Sequence, residues 1–160
     1  ILFSCSLAFA DNRYISLGYG FAFLNPESKP YHLRYTRGSY DFFHLSFGRE
    51  SSFYERVWLN IEPFIAYQVR PRSGLDLGFT ISGKYDLKRN FYISVGVGIA
   101  YTSYNFKEQG TRFPFIVHGG IGYRLKNFFI EDRFKHYSNA GLARPNMSIN
   151  ANLILLGVYF

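Results

Sequence analysis

The sequence has almost none of the residues that staple small domains or bind metals through sulfur. Cys5 is the single cysteine among 160 residues, so a disulfide framework and a thiolate metal site are both excluded. No run approaches the ~20 apolar residues of a membrane-spanning helix. The length leaves room for one domain and not for a second core.

Aromatic residues and glycine, in contrast, are abundant. Aromatics make up 21% of the chain, with 18 Phe and 14 Tyr beside one Trp, and there are 15 Gly. Together with alternating hydrophobicity and no helical span, this composition indicates a β-barrel whose outer surface faces lipid. The net charge of +7 suits a polyanion, either nucleic acid or the phosphates of an outer-membrane lipid. Charge alone does not choose between these partners.

Residues 1–10 resemble the end of a secretory signal. They carry no charge, and Ala8-Phe9-Ala10 matches the small-x-small pattern that precedes cleavage. We therefore expect residues 1–10 to be a signal-peptide remnant and residues 11–160 to form a single barrel domain. A lipoprotein reading at Cys5 is the alternative, although Phe-Ser is a poor lead-in to a lipidated cysteine.

Alternating hydrophobicity predicts the strands. It is clearest in residues 13–24, where Ile15, Leu17 and Tyr19 alternate with small or polar residues. Successive side chains of a strand point to opposite faces, so this segment has one apolar face. Charged residues within the segments nearly all share the face opposite the apolar set. The predicted strands are 13–24, one within 31–48, 56–68, 75–85, 91–104, 112–124, 128–138 and 148–160.

Two places along this pattern are less regular. The start of the second strand is open, because Arg37-Gly38-Ser39 is either a bulge or the end of the preceding loop. In the third strand Pro63 cannot donate to a ladder, which predicts local irregularity there.

The predicted fold is all-β: an eight-stranded antiparallel transmembrane β-barrel of the bacterial outer membrane. Strands of roughly 10–13 residues suit tilted crossings of a bilayer. Closure of so narrow a barrel fills the interior with side chains, which argues against a pore. A soluble sandwich is the alternative that a single strand's pattern also allows. The signal sequence, the aromatic excess and the terminal Phe160 favour the membrane.

Four polar residues interrupt the apolar face of the last two strands: His136, Ser138, Asn150 and Asn152. If Ser138 pairs with Ser148, His136 lies directly opposite Asn150, with Cβ atoms roughly 5 Å apart. Unpaired polar groups are costly in hydrocarbon. With a periplasmic N-terminus, the cluster lies in the outer leaflet, where a Ser and a His side by side could attack a lipid ester. A polar rim of the barrel is the alternative.

The segment His136-Tyr137-Ser138-Asn139-Ala140-Gly141-Leu142, with Pro145-Asn146 after it, resembles the signature of outer-membrane lipid A 3-O-deacylases. That family consists of eight-stranded barrels that hydrolyse the ester-linked acyl chain at position 3 of lipid A. The resemblance implies a lipopolysaccharide-modifying hydrolase of the outer membrane, with no cofactor, no metal and no nucleic acid; a homodimer is left open. It also implies Ser138 as the nucleophile, His136 as the general base, and oxyanion donors from Asn139, Ala140, Gly141 and Asn146.

The sequence departs from this family at Asn150, where an acid, normally Glu, is expected. An amide oxygen accepts the imidazole Nδ1–H but has no charge to stabilise imidazolium. Asp132 shares the outward face with His136 but is four residues away, roughly 13 Å at strand rise, so it cannot replace the acid directly. Whether activity is retained, weakened or lost stays open, and a noncatalytic structural or adhesive barrel that keeps the motif is the rival function.

The remaining histidines and the basic loops carry weaker signals. His44 and His118 point into the barrel by parity, and their spacing does not suggest a metal site. Basic residues in loops beside an anionic leaflet could hold lipid A phosphates; they are Arg70, Arg72, Lys107, Arg112 and Arg144.

Overall fold

The computed structural model describes residues 11–24, 40–70, 72–103, 109–144 and 148–160. The predicted signal remnant and the open question at Arg37-Gly38-Ser39 lie outside the described residues. The eight strands are β1 Asp11–Leu24, β2 Tyr40–Tyr54, β3 Val57–Arg70, β4 Gly74–Asp86, β5 Phe91–Thr102, β6 Phe115–Leu125, β7 Phe128–Ser138 and β8 Ile149–Tyr159.

The eight strands close into a barrel. Each is antiparallel to its neighbours in chain order, and β1 also pairs with β8. The register of that closing ladder is unbroken from Tyr14 opposite Tyr159 to Leu24 opposite Ile149. Closure gives every strand a partner on both sides, so no backbone edge is left for lipid to solvate. The predicted all-β antiparallel barrel is confirmed.

Pro63 interrupts a ladder without shifting it. Between β2 and β3, pairing runs to Ser46 opposite Phe64 and resumes at Arg49 opposite Ile61 in the same register. The missing N–H of proline explains a local gap. The register shifts in this ladder lie elsewhere, at Asp41/Phe42 and at Ser52/Tyr54. The predicted irregularity is thus a short gap in pairing and not a bulge.

Exposed and buried side chains alternate along the strands. The outward set is apolar, with Leu17, Val95 and Val97 exposed by 65%, 66% and 60%. This belt is the surface that an outer-membrane barrel presents to acyl chains. In the part of the chain described here, no helix has the length and apolar character needed to span a membrane.

The connections at the two ends of the barrel differ in length. One end has the tight turns Glu55–Arg56 and Lys126–Asn127 together with residues 87–90. The opposite end carries the longer connections, such as 103–114 and 139–148. Outer-membrane barrels have short periplasmic turns and long extracellular loops. The end of β7 at Ser138 is therefore at the extracellular side.

Charged and polar side chains fill the lumen. Arg133 donates to Glu62 at 2.8 and 3.0 Å and to Glu131 at 2.8 Å, and all three side chains are fully buried. Lys84 donates to Glu50 at 2.5 Å. Each buried charge therefore has an opposite partner, without which its desolvation would be strongly unfavourable. The predicted filled interior is confirmed.

Glycines make room for the large rings inside this narrow lumen. Gly48 lies opposite Tyr14 in the β1–β2 ladder, and a Cβ at Gly48 would stand 1.9 Å from Cζ of Tyr14. Likewise, a Cβ at Gly157 would stand 2.1 Å from the ring of Phe129. Tyr14 and Phe129 pack edge to face at 5.1 Å between centroids. The glycines on the inner face are thus the space into which the rings fit.

Adding one methyl group at such a notch should weaken the barrel. Gly48→Ala forces the buried Tyr14 ring to move, and overpacking of this kind costs roughly 1–3 kcal/mol. We expect a lower denaturant midpoint for the heat-modifiable gel band of the folded barrel. Gly83→Ala is the matched control, because a Cβ at Gly83 meets no atom within 4 Å. Equal midpoints for the two variants would contradict the packing role of Gly48.

Candidate active site

Ser138 and His136 lie at the extracellular end of β7, on its outward face. His136 is directly opposite Asn150 of β8 and, on the other side, opposite Val117 of β6. Ser138 is the last residue of β7 and pairs with Phe115. Both reactive side chains are half-buried. The predicted register across β7 and β8 is confirmed, and it places the pair on the outer wall of the barrel.

Asn150 orients the imidazole of His136. The distance from His136 Nδ1 to Asn150 Oδ1 is 2.8 Å. An amide oxygen can only accept, so Nδ1 carries the proton and donates it. This tautomer leaves the lone pair on Nε2, the nitrogen that a general base needs free.

Ser138 and His136 are neighbours on one face but are not hydrogen-bonded. Two residues of strand separate their Cα atoms by roughly 6–7 Å. Within the described residues, no hydrogen bond joins Ser138 Oγ to His136 Nε2. Such bonds are often long in free enzymes and shorten when substrate binds.

The turn after Ser138 is held by the side chain of Asn139. Asn139 is 1% exposed, and its Nδ2 donates to the carbonyl oxygens of Gln109 at 2.5 Å and Ala143 at 2.9 Å. Its Oδ1 accepts the N–H of Gly141 at 2.8 Å. Ala140 and Gly141 have φ of +52° and +80°, so the turn reverses through two left-handed residues.

These bonds limit what the turn can offer to an oxyanion. The amide of Asn139 and the N–H of Gly141 are both occupied within the loop. The N–H of Ala140 has no acceptor among the described residues. Asn146 lies outside the described residues, so its assignment, like the other oxyanion assignments, stays a prediction.

Gln109 is a contributor that the sequence did not reveal. It is fully buried, accepts from Asn139 through its carbonyl, and donates from Nε2 to the carbonyl of Tyr137 at 3.2 Å. The connection between β5 and β6 thereby holds the end of β7. A single glutamine in a long loop gives no periodic signal that could have predicted this contact.

A second polar pair lies on the same outward face, closer to the membrane centre. Asn152 Nδ2 donates to Asp132 Oδ1 at 2.9 Å. Sequence analysis placed both residues outward and Asp132 beyond reach of His136, and the structure bonds Asp132 to Asn152 instead. His44 and His118 are buried in the lumen as predicted, each 2% exposed.

This combination defines a class: small outer-membrane barrels with a filled lumen and a serine and histidine pair on the lipid-facing wall. The sequence profile of the lipid A 3-O-deacylase (PagL) family matches residues 34–159. The chain belongs to this family and is a protein of the outer membrane. It is 38% identical over 64 residues to the lipid A deacylase PagL of Bordetella bronchiseptica, covering 38% of this chain and 36% of that protein. That match therefore spans about a third of the relative.

Solved structures agree on the fold. The outer-membrane enzyme PagL superposes with a TM-score of 0.66 at 20% identity, covering 91% of this chain and 98% of that one. Neisserial surface protein A gives 0.61 at 10% identity, covering 93% and 95%. The attachment invasion locus protein Ail of Yersinia pestis gives 0.53 at 13% identity, covering 93% and 98%. At these identities the likeness shows the fold alone.

The Asn139 contacts predict that this turn is sensitive to a change of one atom. Asn139→Asp replaces the donor that faces two carbonyl oxygens by an acceptor, which should destabilise the turn by about 1–3 kcal/mol. We expect faster proteolytic cleavage within residues 139–144, followed by mass spectrometry of the folded barrel in detergent. Asn127→Asp, in the tight turn at the opposite end, is the control and should leave cleavage unchanged. Protection as strong as in the parent would contradict the role of Asn139.

Proposed function

We propose that this protein hydrolyses the ester-linked 3-hydroxyacyl chain at position 3 of lipid A, with Ser138 as nucleophile and His136 as general base. The observation that carries the proposal is the 2.8 Å bond from His136 Nδ1 to Asn150 Oδ1, on the outer wall beside Ser138. This bond fixes the tautomer that leaves Nε2 free to take a proton. Family membership adds the reaction class, lipid A deacylation.

The first half of the reaction forms an acyl-enzyme. Ser138 Oγ attacks the ester carbonyl carbon while its proton passes to Nε2 of His136. The carbonyl oxygen becomes an oxyanion, for which the N–H of Ala140 is an available donor and Asn146 is the further candidate. The bond to the sugar oxygen then breaks, and Nε2 returns the proton to that oxygen. The products are the free 3-hydroxyl of lipid A and an ester on Ser138.

The second half releases the acyl chain. A water molecule attacks the ester on Ser138, with Nε2 of His136 again taking the proton. The bond to Oγ breaks, Oγ regains a proton, and a 3-hydroxy fatty acid leaves. In both halves Asn150 holds the ring but adds no negative charge, so imidazolium is less stabilised than beside a carboxylate.

The position of the pair suits a substrate that never leaves the membrane. The extracellular end of β7 lies where the sugar of lipid A meets its first acyl carbons. Arg112 and Arg144 are exposed at this end and can attract the lipid phosphates. Arg70 instead forms an ion pair with Asp41, and Lys107 lies outside the described residues. A homodimer stays a prediction.

The rival is a structural or adhesive barrel that keeps the motif without turnover. The fold likeness to a surface protein of Neisseria, at 10% identity, shows that this barrel shape alone does not imply catalysis. Mass spectrometry of lipid A from cells with and without the protein separates the two. Loss of one 3-hydroxyacyl chain supports the deacylase, and unchanged lipid A supports the rival.

Alanine substitutions test the nucleophile and base as one unit. Ser138→Ala and His136→Ala should each remove most of the fatty-acid release from lipid A micelles, and the double variant should be little worse. Residues that act together lose their effect together, so their losses do not multiply. Ser73→Ala, an exposed serine in the β3–β4 connection at the same end, is the control. Independent, multiplicative losses would show that the two do not act in one reaction step.

Substitutions of Asn150 test the orienting residue. Asn150→Glu should raise the initial rate of release, because a carboxylate holds the same tautomer and also stabilises imidazolium. Asn150→Gln is the neutral control of matched length, and Asn150→Ala should fall below the parent. A carboxylate beside hydrocarbon carries a desolvation cost, so some loss of barrel stability is expected with the gain. Equal rates for all four proteins would remove Asn150 from the site.

A further inference from the structure

Asp132 is an ionisable residue on the wall that faces lipid. It lies near the middle of β7 and is exposed, between the outward side chains of Ile130 and Phe134, which are exposed by 47% and 44%. A carboxylate at this depth is unfavourable in hydrocarbon, and residues of this kind in membrane spans generally mark function. The position therefore needs an explanation beyond packing.

The partner of Asp132 belongs to the strand that also orients the histidine. Asn152 donates from Nδ2 to Asp132 Oδ1 at 2.9 Å. In the β7–β8 ladder Asn152 is opposite Phe134, so its bond to Asp132 runs diagonally across the two strands. Asn150, two residues before Asn152 on the same face, is opposite His136. Both ends of this short polar column are thus hydrogen-bonded pairs.

The two asparagines have complementary groups left between the pairs. Asn150 uses Oδ1 to accept from His136, which leaves its Nδ2 as a donor. Asn152 uses Nδ2 to donate to Asp132, which leaves its Oδ1 as an acceptor. Adjacent outward residues of one strand have Cα atoms roughly 7 Å apart, within reach of two amide side chains. A donor thus faces the region of an acceptor.

We propose that Asp132 is a positioning residue that supplies, through Asn152 and Asn150, the negative charge missing beside His136. The inference rests on the proposed function of Ser138 and His136. Each amide is polarised by the group that it donates to, so Asn150 Oδ1 becomes a stronger acceptor for the imidazole. No proton crosses the amides; only their polarisation changes. The acid of this family is in effect displaced along the wall, and not simply lost.

A purely structural pair is the competing explanation. An Asp132–Asn152 bond could serve only to join β7 and β8 within the membrane. In that case its loss would act through barrel stability, and its effect would not depend on which residue stands at position 150. The two explanations therefore differ in the coupling between positions 132 and 150.

A double-mutant cycle measures this coupling. Asp132→Asn should lower kcat for release from lipid A micelles about tenfold with KM unchanged, as loss of a charge at this distance in a partly desolvated site implies. Asn152→Leu, which removes the link and suits lipid, should act similarly. When Asn150→Glu provides a carboxylate directly, each change should cost less than about twofold. Asp11→Asn is the control, an exterior carboxylate bonded to Arg49 at the opposite end.

A spectroscopic readout keeps the inference testable apart from turnover. In protein with labelled histidine in micelles, the Nδ1–H proton of His136 should move upfield in Asp132→Asn, because its acceptor becomes weaker. The shift should also occur in the Ser138→Ala background. A parent without hydrolysis would overturn the proposed function, while the resonance would still test the coupling. Equal losses in both position-150 backgrounds, or an unmoved resonance, would overturn the inference.

Discussion

The fold depends on one constraint: in lipid, every backbone polar group must find its partner within the protein. The barrel meets it by pairing β1 with β8, and from that closure the other features follow. Alternate side chains must then face a lumen too narrow for water-filled space or a bilayer that rejects charge. The lumen holds Arg133 between Glu62 and Glu131, and glycines opposite Tyr14 and Phe129 provide the volume. The register that packs the inside also decides which residues meet on the outside.

The candidate site is therefore a property of the wall. His136 meets Asn150 because the ladder between β7 and β8 puts them opposite each other, and the outward parity of both presents them to the membrane. A soluble serine hydrolase encloses its substrate; here the bilayer already holds the lipid, and the barrel only has to bring reactive groups to the right depth. The rigid strands fix that depth, while Asn139 and Gln109 fix the turn beside it.

Sequence analysis reached the features that parity and pairing determine. The eight strands, the filled lumen, the inward His44 and His118, and the contact between His136 and Asn150 all follow from a period of two and one register. It did not reach features that depend on side-chain rotamers and loop paths. The bond from Asn152 to Asp132 is diagonal, so it depends on strand twist and on rotamers rather than on register alone. Gln109 acts from a connection without periodicity, and the gap at Pro63 could be anticipated in place but not in form.

The alternation of the strands also bears on how such a chain is exported. A segment that is apolar at every position would stop in the inner membrane during translocation. Here each outward Leu, Val or Ile is followed by a residue destined for the lumen, and the mean hydropathy of the whole chain is only −0.09. Lys84, Glu131 and Arg133 thus dilute the hydrophobicity of their own strands long before they form ion pairs. The polar lumen lets a protein that lives in one membrane pass through another.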